Sequence, residues 1–302
     1  MSIFSIDTTG LDYRDYLNEP HILKVMYEEG KFSLSELSGK TTTFSGCTED
    51  TFLLMVALAN VGAINLSDYW NVGDERNISI SAITGSSNTT GFAVTSQSAV
   101  TMPMVLANAG GKKLATMTAG GRITCEFVIL SKKMLNTYAA MQNVYHDTST
   151  TGSYGNNYGG WECSSIRGYY QYYILPALPS FLQKALKPHK SIRGKGGGSN
   201  TSGTITSIDI LGMPAEYNVF GTKTYAQDDE VAALQADGEV QWTYYQTANN
   251  RKHYTVSGTS YRCWLSSPSC TNASSFCFVS TDGTALNYYA YDAYGLAFFG
   301  CL

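Results

Sequence analysis

The sequence predicts an α+β chain built mainly from short antiparallel strands, with two flanking helices and long loops, behind a small and mostly helical opening segment. Three observations carry that expectation. A capped, strongly apolar helical stripe lies near residue 50, stretches with period-two alternation begin after Trp70, and a Tyr- and Gly-rich end breaks into short strands and turns.

Residues 1–45 have mixed polarity. His21 to Glu29 make two helical turns after Pro20 and stop at Gly30. A clearer helix starts at Thr48, whose hydroxyl caps a first turn holding Glu49 and Asp50 at the positive end of the dipole. Phe52, Val56 and Ala59 form one stripe, and Gly62 closes it. Leu53, Leu54, Met55 and Leu58 leave little polar surface, so this helix is expected to be buried all round or to sit in a subunit interface.

From Trp70 the texture is that of strands. Asn77–Ile83 and the start of Arg122–Leu130 alternate with period two, and Val100–Leu106 is a strand crossed by Pro103. Ser86–Gly91 reads as a loop, Gly110-Gly111 as a turn, and 142–160 as a long polar loop. Ser164–Leu178 and Pro179–Leu186 read as two helices, with Pro179 in the first turn of the second. Gly194–Asn200 is expected to be a flexible surface loop, because strand-like Ile205–Leu211 follows at once. Gln227–Ala236 is a further short helix, and Glu239–Leu302 is expected to hold only short strands and turns.

The 302 residues carry 20 Lys+Arg and 24 Asp+Glu, a net charge of -4, which argues against a dedicated nucleic-acid binder needing a basic surface. Charged residues make up 15%, against about 25% in an ordinary domain; Gly, Tyr, Ser, Thr and Asn take their place. No apolar run approaches the roughly 20 residues of a membrane span, so no membrane insertion is expected. The opening residues show no basic region ahead of an apolar run, so the expectation is a chain made in a cytoplasm. Seven cysteines without a C-x-x-C pair point to reduced, mostly buried thiols.

Most polar clusters carry little chemistry. Lys184, Lys187, Lys190, Arg193 and Lys195 read as a solvated helix end beside a Gly-rich loop, and the loop lacks the G-x-x-x-x-G-K-[ST] order of a phosphate cradle. His21, His146, His189 and His253 lie far apart, with none of the spacings of a zinc site. Cys263, Cys270 and Cys277 recur every seven residues, but Pro268 rules out a continuous helix there. The strongest signal is the C-terminal run of tyrosines, Tyr244-Tyr245, Tyr261, Tyr288-Tyr289, Tyr291 and Tyr294, interleaved with Ser, Thr, Asn and Gly. That mixture gives large contact area at low entropy cost, as in antibody paratopes, and favours recognition over core packing alone.

Several anchors in order resemble a C-type-lectin-like domain family of gut bacteria and their phages. Tyr261-Arg-Cys-Trp-Leu-Ser-Ser-Pro268, Ser275-Phe-Cys-Phe-Val-Ser-Thr-Asp-Gly283 and Tyr294-Gly-Leu-Ala-Phe-Phe-Gly-Cys-Leu302 are similar to its ending. Tyr69-Trp-Asn-Val-Gly-Asp74, Gly160-Trp-Glu-Cys-Ser-Ser-Ile-Arg167, Leu211-Gly-Met-Pro-Ala-Glu-Tyr-Asn-Val-Phe-Gly221 and Tyr245–Arg251 extend the likeness upstream. The resemblance implies a fold similar to that shared by formylglycine-generating enzymes and the variable proteins of diversity-generating retroelements. The resemblance covers about 67–302 and sets off 1–66 as an attachment and oligomerisation segment.

The resemblance implies a phage virion protein at the tail tip or fibre, assembled in the host bacterial cytoplasm. It would bind a protein or glycan receptor on the bacterial surface, contact other tail proteins through residues 1–66, and form a homotrimer like other tail receptor binders. The implied ligand face is Tyr261, Cys263, Leu265, Ser266, Ser269, Thr271, Asn272, Phe278, Leu286, Tyr288, Tyr289, Tyr291, Asp292 and Tyr294. The implied framework is Trp264, Pro268, Cys277, Val279, Gly283, Ala290, Gly295 and Gly300, with an Asp282-Gly283 hairpin turn presenting the edge. Phe278, Leu286 and Tyr289 are expected to be exposed as anchors. No catalytic residue, cofactor or metal is expected. The rivals are a structural or head-decoration protein and, through the shared fold, an enzyme of the formylglycine-generating type, which would need paired cysteines and a metal.

Overall fold

The helix predicted at Thr48 lies at the heart of the structure, a computed structural model that describes residues 7–37, 43–85, 96–136, 138–142 and 156–302. The opening segment supplies α1 (Pro20–Glu28), α2 (Leu34–Leu37) and α3 (Glu49–Asn60). Thr48 Oγ1 accepts the Thr51 N–H, and Gly62 takes a positive φ of 71° just beyond the end. Phe52 stacks on Trp70 at 5.3 Å and meets Phe181 edge-on at 5.5 Å. The buried face of α3 therefore belongs to the same core as Leu106, Phe127, Tyr170, Trp264 and Phe298, and the 66/67 boundary marks no break in that core. Arg122 reinforces the junction by donating to Ala59 O, Ile64 O and Asn65 Oδ1.

Among the described residues twelve strands follow: β1 (Glu75–Ile80), β2 (Val100–Ala109), β3 (Phe127–Ser131), β4 (Tyr138–Ala140), β5 (His189–Gly194), β6 (Thr204–Asp209), β7 (Leu211–Gly212), β8 (Cys263–Pro268), β9 (Ser275–Val279), β10 (Ala285–Tyr289), β11 (Ala293–Gly295) and β12 (Phe299–Cys301). One sheet runs β1-β2-β3-β12-β7 and is antiparallel throughout, with the C-terminal strand inside it. A second runs β10-β9-β8-β11-β4, parallel only where Gly295 meets Cys263. β5 and β6 form a separate hairpin. The architecture is α+β with several antiparallel sheets.

The second sheet divides two apolar clusters by strand alternation. Trp264, Phe276 and Phe278 enter the main core. Their chain neighbours Leu265, Cys277 and Val279 enter a smaller cluster with Trp242, Tyr245 and Phe299.

The helices between the sheets follow the sequence with some changes. Ser164 Oγ caps α4 (Ser165–Tyr169), which widens into a π-turn over Tyr170–Ile174 and ends as α5 (Leu175–Ala177). Pro176, which has no N–H to give to the preceding turn, follows that widening directly. Pro179 stands just outside α6 (Ser180–Ala185) rather than in its first turn. Further on come α7 (Glu216–Phe220), α8 (Asp228–Ala236) and α9 (Thr243–Gln246). α9 and the 3-10 turn Ala248–Arg251 are helical where only strands and turns were expected, because helical spacing puts Trp242 and Tyr245 together, stacked at 6.1 Å.

The Gly-rich loop also departs from expectation. It is packed, not loose: Gln227 both accepts from Gly196 N and donates to Gly196 O, Asn157 Oδ1 accepts from Gly197 N, and Asp229 accepts from Gly203 N. A Cβ on Gly196 would lie 1.9 Å from Asn157 O, so glycine is needed there for close approach. Arg193, expected among solvated cations, is buried and donates to Ser266 Oγ, Ile192 O and Met213 O. The Ser86–Gly91 loop, His146 and most of the 142–160 loop lie outside the described residues.

Two histidines are fully internal, His189 and His253. Burial lowers His253 to about 4, whereas an unfolded histidine titrates near 6.5. Between those values the unfolded chain binds the extra proton, so His253 subtracts stability as pH falls through this window. Urea unfolding at pH 7 and pH 5 is expected to show a smaller acid loss for His253→Gln than for the natural chain. Equal losses would clear His253 of that role.

Candidate ligand-binding face

The β9–β10 hairpin forms one edge of the second sheet, with β10 paired only to β9. Its turn is the one expected from Asp282-Gly283. Gly283 has φ 88°, Ser280 N donates to Thr284 O, and Asp282 Oδ1 accepts both the N–H and hydroxyl of Thr284. Those bonds from Thr284 favour the ionised Asp282 carboxylate and hold it below its ordinary value.

The tyrosines beyond this turn are the wettest large apolar groups of the region. Leu286, Tyr288, Tyr289 and Tyr291 are 39%, 44%, 39% and 49% exposed. They are ordered by one another. Tyr289 and Tyr291 stack at 5.2 Å with planes 6° apart, Tyr288 meets Tyr289 edge-on at 5.3 Å, and Tyr288 lies 6.1 Å from Tyr294. Tyr294 packs against Trp264 and Phe278 at 4.4 and 4.8 Å, while Tyr261 lies 4.1 Å from Tyr138. A continuous aromatic array thus runs from solvent into the main core.

Polar groups pin the loop between β8 and β9. Asn157 Nδ2 donates to Ser269 O, Asn272 O and Ser275 O, while its Oδ1 accepts from the Gly-rich loop. Asn287 Nδ2 bridges Ser269 Oγ and Thr271 Oγ1, both at 2.8 Å, which ties that loop to β10.

Not every residue implied as ligand-facing is at the surface. Thr271 and Asn272 are exposed, and Tyr261 and Asp292 are half-buried. Cys263, Leu265, Ser266, Ser269, Phe278 and Tyr294 are buried, each for a definite reason. Leu265 is on the inner side of β8 in the smaller core. Ser266 Oγ donates to Met213 O and Pro214 O and accepts from Arg193, so it is an internal brace. Ser269 turns inward to Asn287. Phe278, expected as an exposed anchor, is covered by Trp264, Tyr294 and the Arg262 guanidinium. Tyr294 is covered by Trp264, and burial raises its hydroxyl above the usual tyrosine value. Burial pushes the Cys263 thiol up to about 12, so it is un-ionised at neutral pH.

Two of the framework glycines sit where a side chain has no room. A Cβ on Gly295 would lie 2.2 Å from Met134 Sδ, and one on Gly300 would lie 2.4 Å from Leu186 Cδ2. Trp264 Nε1 donates to Ala139 O. Motif residues upstream are buried polar braces. Trp161 Nε1 and Arg167 Nε both donate to Asp209; burial works against its ionised form, but Arg167 and these bonds outweigh it and hold the carboxyl below its ordinary value. Glu216 accepts the N–H groups of Thr224, Tyr225 and Ala226; burial prevails there and raises it.

Arg262, Tyr138 and Asn287 complete the face but were not among the residues singled out from sequence. Arg262 stands inside the quoted Tyr261–Pro268 motif, a signal that was available. Tyr138 arrives through the antiparallel pairing of β4 with β11, which no local pattern announces.

No protein-family model, curated protein or solved structure matches the chain. Among the described residues no group of three or more His, Cys, Asp or Glu side chains is placed to hold a metal ion, and no helix is long and apolar enough to cross a membrane.

Asn157→Ala removes the clamp under this face. The variant is expected to lose about 1–3 kcal/mol in denaturant unfolding and to exchange the Thr271 and Ser274 amides faster. Unchanged exchange there would mean the loop is held by other contacts.

Proposed function

We propose that this chain is a phage virion protein that recognises the bacterial host surface from the tail tip or fibre through a lectin-like domain. The observation that carries the reading is the exposed Leu286, Tyr288, Tyr289 and Tyr291 on an edge hairpin whose underside is locked into the core. Large side chains that stay in water on a rigid support are the usual anchors of a binding surface. The fold of 67–302 is proposed to be C-type-lectin-like on the strength of the ordered sequence anchors, several of which are the buried braces just described.

The chemistry of the thiols supports binding over turnover. All seven cysteines are free, and burial raises Cys263, Cys270 and Cys277 alike, which disfavours the thiolate a cysteine nucleophile needs. Free thiols also suit assembly in a reducing cytoplasm. Residues 1–66 are proposed to attach the domain to other tail proteins and to its own copies as a homotrimer. Several copies on one particle would turn weak single contacts into firm adsorption.

The test is a phage carrying Tyr288→Ala, Tyr289→Ala and Tyr291→Ala together. Intact particles are expected at normal yield, with host adsorption lowered about tenfold or more, the scale of losing anchor residues. Failed assembly, or particles that adsorb normally, would favour a structural or decoration role. Gold-labelled antibody to residues 240–302 should mark the tail tip in electron micrographs, whereas label spread over the head would overturn the tail assignment.

A further inference from the structure

The aromatic face carries a cation in a setting unlike that of the other arginines. Arg262 Nη1 donates to Tyr294 Oη at 2.9 Å, and the guanidinium lies 5.3 Å and 5.7 Å from the ring centres of Tyr294 and Phe278. These contacts fix the side chain, yet the residue remains exposed.

Each of the other arginines makes an ion pair or a hydrogen bond to a backbone carbonyl. Arg14, Arg122 and Arg167 pair with Asp12, Glu126 and Asp209. Arg76, Arg193 and Arg251 donate to backbone carbonyls. Among the described residues Arg262 has neither a carboxylate nor a carbonyl partner; its single hydrogen bond goes to a phenol. In a chain of net charge -4, this guanidinium is held in place without an acidic partner among the described residues and is open to an outside anion. The planar fork of guanidinium suits a carboxylate or phosphate, which it binds by paired hydrogen bonds.

The surroundings narrow the ligand further. Tyr288 lies 6.1 Å from Tyr294, the residue that anchors Arg262, and Tyr289 and Tyr291 continue the shelf. Asp292 is the acid whose charge acts on Tyr291 and Tyr294 at this end of the shelf. Exposed, flat tyrosine ring faces match the C–H faces of a sugar ring. A protein partner would call for a broader apolar centre, and Leu286 is the one large aliphatic side chain exposed on the hairpin.

We propose that this face binds a saccharide bearing a carboxylate or phosphate group, with the acid on Arg262 and the sugar ring on Tyr288 and its neighbours. The inference rests on the receptor-binding reading and names the chemistry of its ligand.

The test titrates the purified full chain with oligogalacturonate and with phosphorylated oligomannose. Fully methyl-esterified oligogalacturonate and dephosphorylated oligomannose serve as neutral counterparts, and inorganic phosphate and oligoglutamate as non-saccharide anions. At least one acidic oligosaccharide is expected to bind, its neutral counterpart and the Arg262→Gln variant about tenfold more weakly. Arg262→Lys, which keeps the charge and the cover over Phe278 but loses the fork, is expected to be several-fold weaker, and Tyr288→Ala weaker too. Absence of binding by both acidic probes at millimolar concentration, or equal binding of a neutral counterpart, overturns the proposal. Phosphate alone binding as well would reduce the site to a simple anion site, and oligoglutamate binding as well would move it to a protein partner; either result overturns the saccharide. Acid binding in solution with normal adsorption of the tyrosine triple variant would remove the receptor role and leave the site. Lost adsorption without acid binding would do the reverse.

Discussion

Carboxylates taken out of water constrain this chain more than any other feature. Asp209, Glu216, Glu230 and Glu239 are all buried, and each must find donors or destabilise the fold by several kcal/mol. The donors come from far along the chain. Asp209 is met by Trp161 and Arg167, Glu230 by Gly194 N and Ser267 Oγ, and Glu239 by Lys112 at 2.5 Å and Asn218 at 2.8 Å. Glu216 draws in the backbone from Thr224 to Ala226. Removing a partner would leave a buried carboxyl short of a donor, so these contacts fix how the β5–β6 hairpin, α7, α8 and the second sheet meet.

The rigidity thus imposed passes to the C-terminal hairpin. Ser267 Oγ donates to Glu230 and accepts from the Glu216 N–H, so β8 is held from beneath. β9 pairs antiparallel with β8, with a register shift between Trp264 and Pro268, and β10 pairs antiparallel with β9. Order therefore falls outward from the buried acids to the tyrosines. A side chain at the end of such a stack meets a partner already positioned, which lowers the entropy lost on binding.

Much of this architecture was legible, but unevenly. Signals written locally were read correctly: the Thr48 cap and the turn at Asp282-Gly283. Signals that depend on distant partners were not. Ser266 and Ser269 look like adaptable polar surface in sequence, and only Arg193, Met213 and Asn287 show them to be internal. Glycines 194–198 read as slack because sequence reports their freedom and not the Asn157 and Gln227 groups pressed against them. Within the tyrosine run, alternation alone could not distinguish Tyr288 at a sheet edge from Tyr294, which packs under Trp264.

The same division bears on how the face can change. A substitution at Leu265, Ser266 or Phe278 would open a cavity or strand a donor, and would register as lost stability before any effect on recognition. Thr271, Asn272, Leu286, Tyr288, Tyr289 and Tyr291 face solvent and carry none of the buried acids, so new side chains there alter the surface with little effect on the core. Arg262 lies between the two classes, because it both covers Phe278 and faces solvent. Sequence change in this region is therefore tolerated chiefly along the outer hairpin and the loop before it, around a cation that the packing beneath it holds in place.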